Sequence, residues 1–205
     1  MWAIGHVGAI FDDSLKSEAL MQALLKAPSC IADVAIALLL YFEGRRWVGH
    51  FRAAAAAALF FLNPLSLYNS AYWGQVDSIH TALCLASLVM VTRDRNGAAG
   101  ALAAVALLQK FQAIAIIPII LLEIFRRSRF KGVGLTLIGA IAAAAVIAAP
   151  FAVRGVLDDV LRRSYVNVVG QYTDLSRSAY NVWWLMGDPD VADTAIPTDL
   201  ARFVG

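Results

Sequence analysis

A lysine at position 110 stands inside one of the most apolar stretches of this chain, flanked by Gln109 on one side and Phe111-Gln112 on the other. An ammonium group among hydrocarbon is unfavourable unless it faces a polar cavity or an anion, so Lys110 reads as a grip for a phosphate or a similar group, with Gln112 beside it. The competing reading is a side chain that snorkels from a hairpin apex to the membrane surface. A second set of useful types is Trp73-Gly74-Gln75-Val76-Asp77. Tryptophan offers a flat face to a pyranose ring, while Gln75 and Asp77 can exchange hydrogen bonds with sugar hydroxyls. The simpler alternative makes Trp73 an interfacial aromatic and Asp77 the N-cap of the next helix, with Ser78 beside it. Cys30 and Cys84 lie in apolar segments, where a thiol packs as a small hydrophobe, and His6, His50 and His80 are scattered without ligand spacing. No metal site and no cofactor is expected.

The elements that must position these residues follow from composition. Of 205 residues, 60% are hydrophobic and 16% charged, and the mean hydropathy is +0.67. That exceeds what a single soluble core of this length can bury, so apolar surface must face lipid. The net charge of +2 is too small to argue for nucleic acid. The fold class expected is all-α, a polytopic transmembrane helix bundle with short or broken helices.

The first span is expected from about Pro28 to Phe42, with Asp33 near its start and the charged turn Glu43-Gly44-Arg45-Arg46 at its end. The second starts near Arg52 and reaches Asn63-Pro64, where proline should kink or end the helix and the aromatic stretch 65–75 takes on the texture of a membrane interface. A third covers roughly Ser78 to Thr92. Parity decides the next segment. If Arg45/Arg46/Arg52, Arg93/Arg95 and Arg126/Arg127/Arg129/Lys131 are all cytoplasmic, the chain between the last two clusters must go out and return, turning at 109–112. Each leg is short for about 30 Å of hydrocarbon, which is acceptable only where the apex meets a polar cavity. A sixth, alanine-rich span runs from about Gly132 to Val153. The expected organisation is an extracytoplasmic amphipathic segment over 1–27, a bundle of about six crossings over 28–153, and an extracytoplasmic juxtamembrane segment over 154–205. The amino terminus lacks the basic region of a secretory signal, and neither end closes on a full apolar segment, so a fragment of a longer chain is expected.

The run NPLSLYNSAYWGQVDSIHTALCLASL followed by LLQKFQAIAIIPIILL resembles the GT-C fold membrane glycosyltransferases that use lipid-linked sugars. Relatives that glucosylate dolichol-linked oligosaccharides carry a comparable aromatic-Gln-polar motif after an Asn-Pro turn, then a Lys-Gln pair before a proline-containing span. The matching positions here are Gln75, Asp77, Lys110, Gln112 and Pro118. The resemblance extends to an Arg-Gly turn before an acidic helix (Arg154, Gly155, Asp158, Asp159) and to a Ser-x-x-Ala-x-Asn-x-Trp element that places Asn181 and Trp183. It spans about Lys26 to Leu185.

The resemblance implies a hexosyltransferase, of the glucosyl- or mannosyltransferase kind, that takes a hexose from a polyprenyl-phosphate sugar to a glycan, lipid or protein acceptor on the extracytoplasmic side of the cell membrane. Lys110 and Arg154 would then hold the donor phosphate, and Trp73, Gln75, Asp77, Gln112 and Asn181 would line the sugar or acceptor pocket. One departure stands out. The family places its catalytic acidic residue, the base, in the first extracytoplasmic loop before a Tyr-Pro-Pro stretch, and here Asp12 and Asp13 substitute poorly, so the base is expected upstream of Met1. Asp33 matches an acidic position early in the following helix. The rival functions are a secondary transporter, which predicts inverted repeats that the sequence does not show, and a non-catalytic membrane scaffold.

Overall fold

Apolar runs broken at Gly49, Asn63-Pro64, Gly74 and Lys110 fold into helices joined by short turns. A computed structural model describes residues 18–166, and among these every regular element is helical. Helix α1 spans Glu18–Val48 and passes through Pro28, so the first span begins well upstream of that proline. Gly49, at φ 83°, turns the chain into α2, His50–Phe61, which packs back along α1. Asn63 then starts a new helix, α3 (Pro64–Leu67). Its Oδ1 accepts the Leu65 N–H at 2.9 Å, and Pro64 occupies the first helical position, where a missing N–H leaves nothing unpaired. α3 runs on as a π-helical segment, Tyr68–Trp73, and the pair is bent by 43° from α2. The expected break at Asn63-Pro64 is therefore present, and the helix re-forms at once.

Helix α4 (Asp77–Thr92) lies against both α1 and α5 (Asn96–Gln109). At Lys110 the backbone is extended, a 3-10 segment follows over Phe111–Ile116, and α6 covers Ile117–Val153. Ala99 and Ala103 of α5 share a buried cluster with Val91 and with Ile120 and Ile124 of α6. The chain has thus folded back on itself about Lys110, as the parity of the basic clusters requires. α6 itself is broken. Arg129 has φ 52° and ψ −150°, far from helical. Eight residues of continuous helix rise about 12 Å, yet a Cβ on Gly132 would lie 2.8 Å from Ile124 Cγ2. The chain turns sharply at Arg129, inside the basic cluster, and residues 117–128 and 130–153 are separate arms.

By length and composition Leu20–Val48 and Phe111–Val153 can cross a membrane, and the bent pair His50–Phe61 with Pro64–Trp73 makes a third candidate; Asp77–Thr92 and Asn96–Gln109 are shorter apolar helices. The break at Arg129 divides the 43-residue Phe111–Val153 stretch into two legs. The arm after Arg129 crosses α5 at backbone contact. A Cβ on Gly100 would stand 1.9 Å from the Thr136 carbonyl oxygen, and one on Gly139 2.0 Å from that of Gly97. Only glycine permits that approach, which is how helices lacking a hydrophobic drive between them gain packing in lipid.

Charged groups at the ends of α1 and α4 meet. Glu43, at the end of α1, pairs with Arg46 at 3.5 Å and with Arg93, beyond the end of α4. Arg45 lies over the Phe42 ring, 5.1 Å from its centroid. The chain divides into two units, Met1–Ile147 and Ala148–Gly205. In the second, α6 ends past Pro150, Gly155 turns the chain at φ 68°, and a short helix α7, Leu157–Leu161, carries Asp158 and Asp159 in its first turn. Asp158 pairs with Arg162 at 2.8 Å.

Candidate functional site

The loop from Trp73 to Asp77 is held from three sides. It begins where the π-helical segment ends at Gly74, whose φ of 79° suits glycine, and the Gln75 N–H closes back on the Asn69 carbonyl at 2.9 Å. From α1, the Lys26 ammonium donates to the Tyr72 carbonyl at 2.7 Å, and its stem packs against Gly74 so closely that a Cβ there would sit 3.2 Å from Lys26 Cγ. From α5, the Gln109 amide donates to the Val76 carbonyl at 3.2 Å, and Lys110 forms an ion pair with Asp77. Lys26 on α1 and Lys110 just past the end of α5 therefore hold the two ends of one stretch, Tyr72 to Asp77. Lys110 and Asp77 remain about a third exposed, at 32% and 39%, so the pair is open to a ligand at the mouth.

Underneath lies a buried polar chain. Asp33 of α1 is 7% exposed and accepts from the Ser78 hydroxyl at 2.5 Å, while Ser70 and Ser78 share a hydrogen bond of 2.8 Å. With Ser78 donating to Asp33, Ser70 must donate to Ser78. The chain thus links α1, the π-helical segment that carries Trp73 and the first turn of α4 that carries Asp77. A buried hydroxyl left without its acceptor costs about 1–3 kcal/mol, so Asp33→Leu should destabilise the protein by that amount, and Asp33→Asn, which keeps a carbonyl acceptor, by much less. Thermal unfolding of the two variants in detergent checks this; equal melting temperatures would show that the chain contributes nothing.

The expected residues fall out unevenly. Asp77 is not a helix cap: Val76 occupies that position, Asp77 is the first helical residue, and its carboxylate goes to Lys110. Lys110 is engaged across the loop, 33 residues away in sequence. Trp73 is 66% exposed beside the Tyr68–Tyr72 stack, whose centroids are 5.0 Å apart. Gln75 is half-buried in the loop, and Gln112 is exposed on the 3-10 segment. Gln109 is the glutamine whose side chain reaches the loop. Arg154 is exposed at the Gly155 turn of the second unit. Asn181, Trp183, His6, Asp12 and Asp13 lie outside the described residues. Lys26 was missed by sequence reading. A lysine three residues ahead of Ser29 and seven ahead of Asp33 marks a polar stripe on α1, and that spacing was the available signal.

A helical bundle with several apolar helices long enough to cross a membrane, and with cationic, acidic, amide and aromatic groups gathered around one loop, defines a polytopic membrane protein. Residues 20–194, most of the chain, match the sequence model of Glycosyltransferase family 87, and the protein belongs to that family. No curated protein and no solved structure matches it. It is a membrane glycosyltransferase, which sets the transporter and scaffold readings aside.

Proposed function

We propose that the chain transfers a hexose from a polyprenyl-phosphate sugar to a hydroxyl of a glycan, lipid or protein acceptor on the extracytoplasmic side of the cell membrane. The observation that carries this reading is the Asp77–Lys110 pair at the mouth, beside Trp73 and Gln75. An ammonium has three donors, and a carboxylate partner occupies one or two of them, leaving Lys110 able to meet a phosphate while held in place. In a single displacement the acceptor oxygen attacks the anomeric carbon, the bond to the phosphate oxygen breaks, and the lipid phosphate leaves with the electron pair. A carboxylate takes the hydroxyl proton, and cations offset the charge growing on the phosphate. Lys110 supplies that cation, and Trp73, Gln75, Asp77 and Gln112 contact sugar or acceptor. A lysine at the end of a short apolar helix suits a lipid-borne phosphate better than a soluble one.

The test compares donors. Membranes containing the full-length protein, given a radiolabelled polyprenyl-phosphate hexose or a nucleotide hexose, should move label to an acceptor from the lipid donor alone. Transfer from the nucleotide sugar with the lipid donor inert would overturn the reading.

A further inference from the structure

A groove of about 480 Å³ opens beside the loop, lined by Gln22, Lys26, Tyr68, Tyr72 and Trp73. We propose that this groove is a carbohydrate subsite that holds a sugar ring of the acceptor; the acceptor assignment rests on the glycosyltransferase reading above. Three observations point to a sugar. The aromatic wall is broad and accessible: Tyr72 is 71% and Trp73 66% exposed, Tyr68 stacks on Tyr72 with an interplanar angle of 24°, and Tyr68 meets Trp73 edge-on at 6.3 Å. Flat apolar faces of this kind match the C–H face of a pyranose. The same groove is lined by an ammonium, Lys26, and an amide, Gln22, types that can donate to and accept from ring hydroxyls. The ammonium is fixed rather than free to wander, because Lys26 spends one donor on the Tyr72 carbonyl and packs its stem on Gly74. A positioned cation with spare donors on an aromatic wall is a built recognition surface, whereas interfacial aromatics alone would need no lysine tied to their backbone.

The position fits an acceptor. The groove and the Lys110 pair share the loop, Trp73 being on the groove wall and Asp77, four residues on, in the pair with Lys110. A ring seated on Trp73 lies next to a donor whose phosphate is at Lys110, the arrangement a transfer between two sugars needs.

The experiment uses binding alone, with no donor present, so it succeeds or fails independently of the donor assignment. The full chain in lipid nanodiscs is titrated with methyl α-mannoside, methyl α-glucoside and, separately, inorganic phosphate, while tryptophan fluorescence is followed. At least one hexoside should change the fluorescence saturably, and Trp73→Phe should remove that signal. Lys26→Met, which keeps the apolar stem against Gly74 but loses the ammonium, should weaken binding roughly tenfold, as the loss of a charged hydrogen bond implies. Lys26→Arg should restore part of it. Silence with both hexosides, wild-type affinity in Lys26→Met, or displacement of the hexoside by phosphate would each overturn the proposal, the last by making the groove an anion site.

Discussion

Gly100→Leu is expected to stop the bundle from assembling, with the protein lost from membranes or aggregated on extraction. Even the first carbon of a side chain at this position would lie 1.9 Å from the Thr136 carbonyl oxygen, 2.7 Å from its carbonyl carbon and 2.9 Å from its Cα. The obstacle is backbone, so no rotamer change relieves it, and the two helices must separate by ångströms along their contact. Overpacking of a close-packed core already costs about 1–3 kcal/mol where side chains can adjust. Here the separation also gives up the close backbone approach of Gly100 to Thr136 and of Gly139 to Gly97, and it opens the seam beside Gly132, where Asn96 stands 2.9 Å from a Cβ position. The neighbouring Gly134 supplies the control, since a Cβ there meets nothing within 4 Å. Expression level, monodispersity in detergent and thermal unfolding of Gly100→Leu, Gly139→Leu and Gly134→Leu should separate the first two from the third. A Gly100→Leu protein that melts with the wild type would refute the close crossing.

The glycines also show where sequence reading reaches its end. Breaks in the chain were legible because each has a local cause: Asn63-Pro64 starts a helix that its own side chain caps, and the basic cluster 126–131 contains the turn at Arg129. The reversal at Lys110 was legible from charge, since clusters on both sides must share one surface. What sequence does not contain is the rotation of one helix against another. In a soluble helix the polar face declares which side is buried, but in α5 and α6 lipid-facing and protein-facing positions are equally apolar, and alanine fills both. The Ser87 hydroxyl reaching the Ala99 carbonyl at 2.8 Å, Ser78 reaching Asp33, and Lys26 reaching Tyr72 all depend on that rotation. So the polar residues could be singled out by type, and Asp77 with Lys110 could be placed near one another by parity, while their direct pairing could not. The upstream start of α1 was obscured by Pro28, because a proline inside an apolar segment reads as a boundary, and the bilayer tolerates it within a helix.

Lys110→Ala should lower sugar transfer by roughly 10²–10³-fold while leaving the protein folded, the loss seen when one stabilising donor is removed from a site of developing charge. Folding should survive because the partner left behind, Asp77, is 39% exposed and can be hydrated, so the ion pair itself contributes no more than about 1 kcal/mol. The loop also keeps its other ties, from Lys26 to Tyr72 and from Gln109 to Val76. Two further variants separate a phosphate-binding lysine from a lysine that merely fastens the loop. Lys110→Arg retains the cation with a different donor geometry and should recover part of the activity, with KM for the lipid donor raised. The exchange Asp77→Lys with Lys110→Asp restores an ion pair between the same two elements but moves the positive charge to α4. If Lys110 acts on the phosphate, the exchanged protein melts like the wild type and transfers sugar no faster than Lys110→Ala. Recovery of transfer in the exchanged protein would mean that the pair serves the loop alone, and the donor phosphate would have to be sought at another cation.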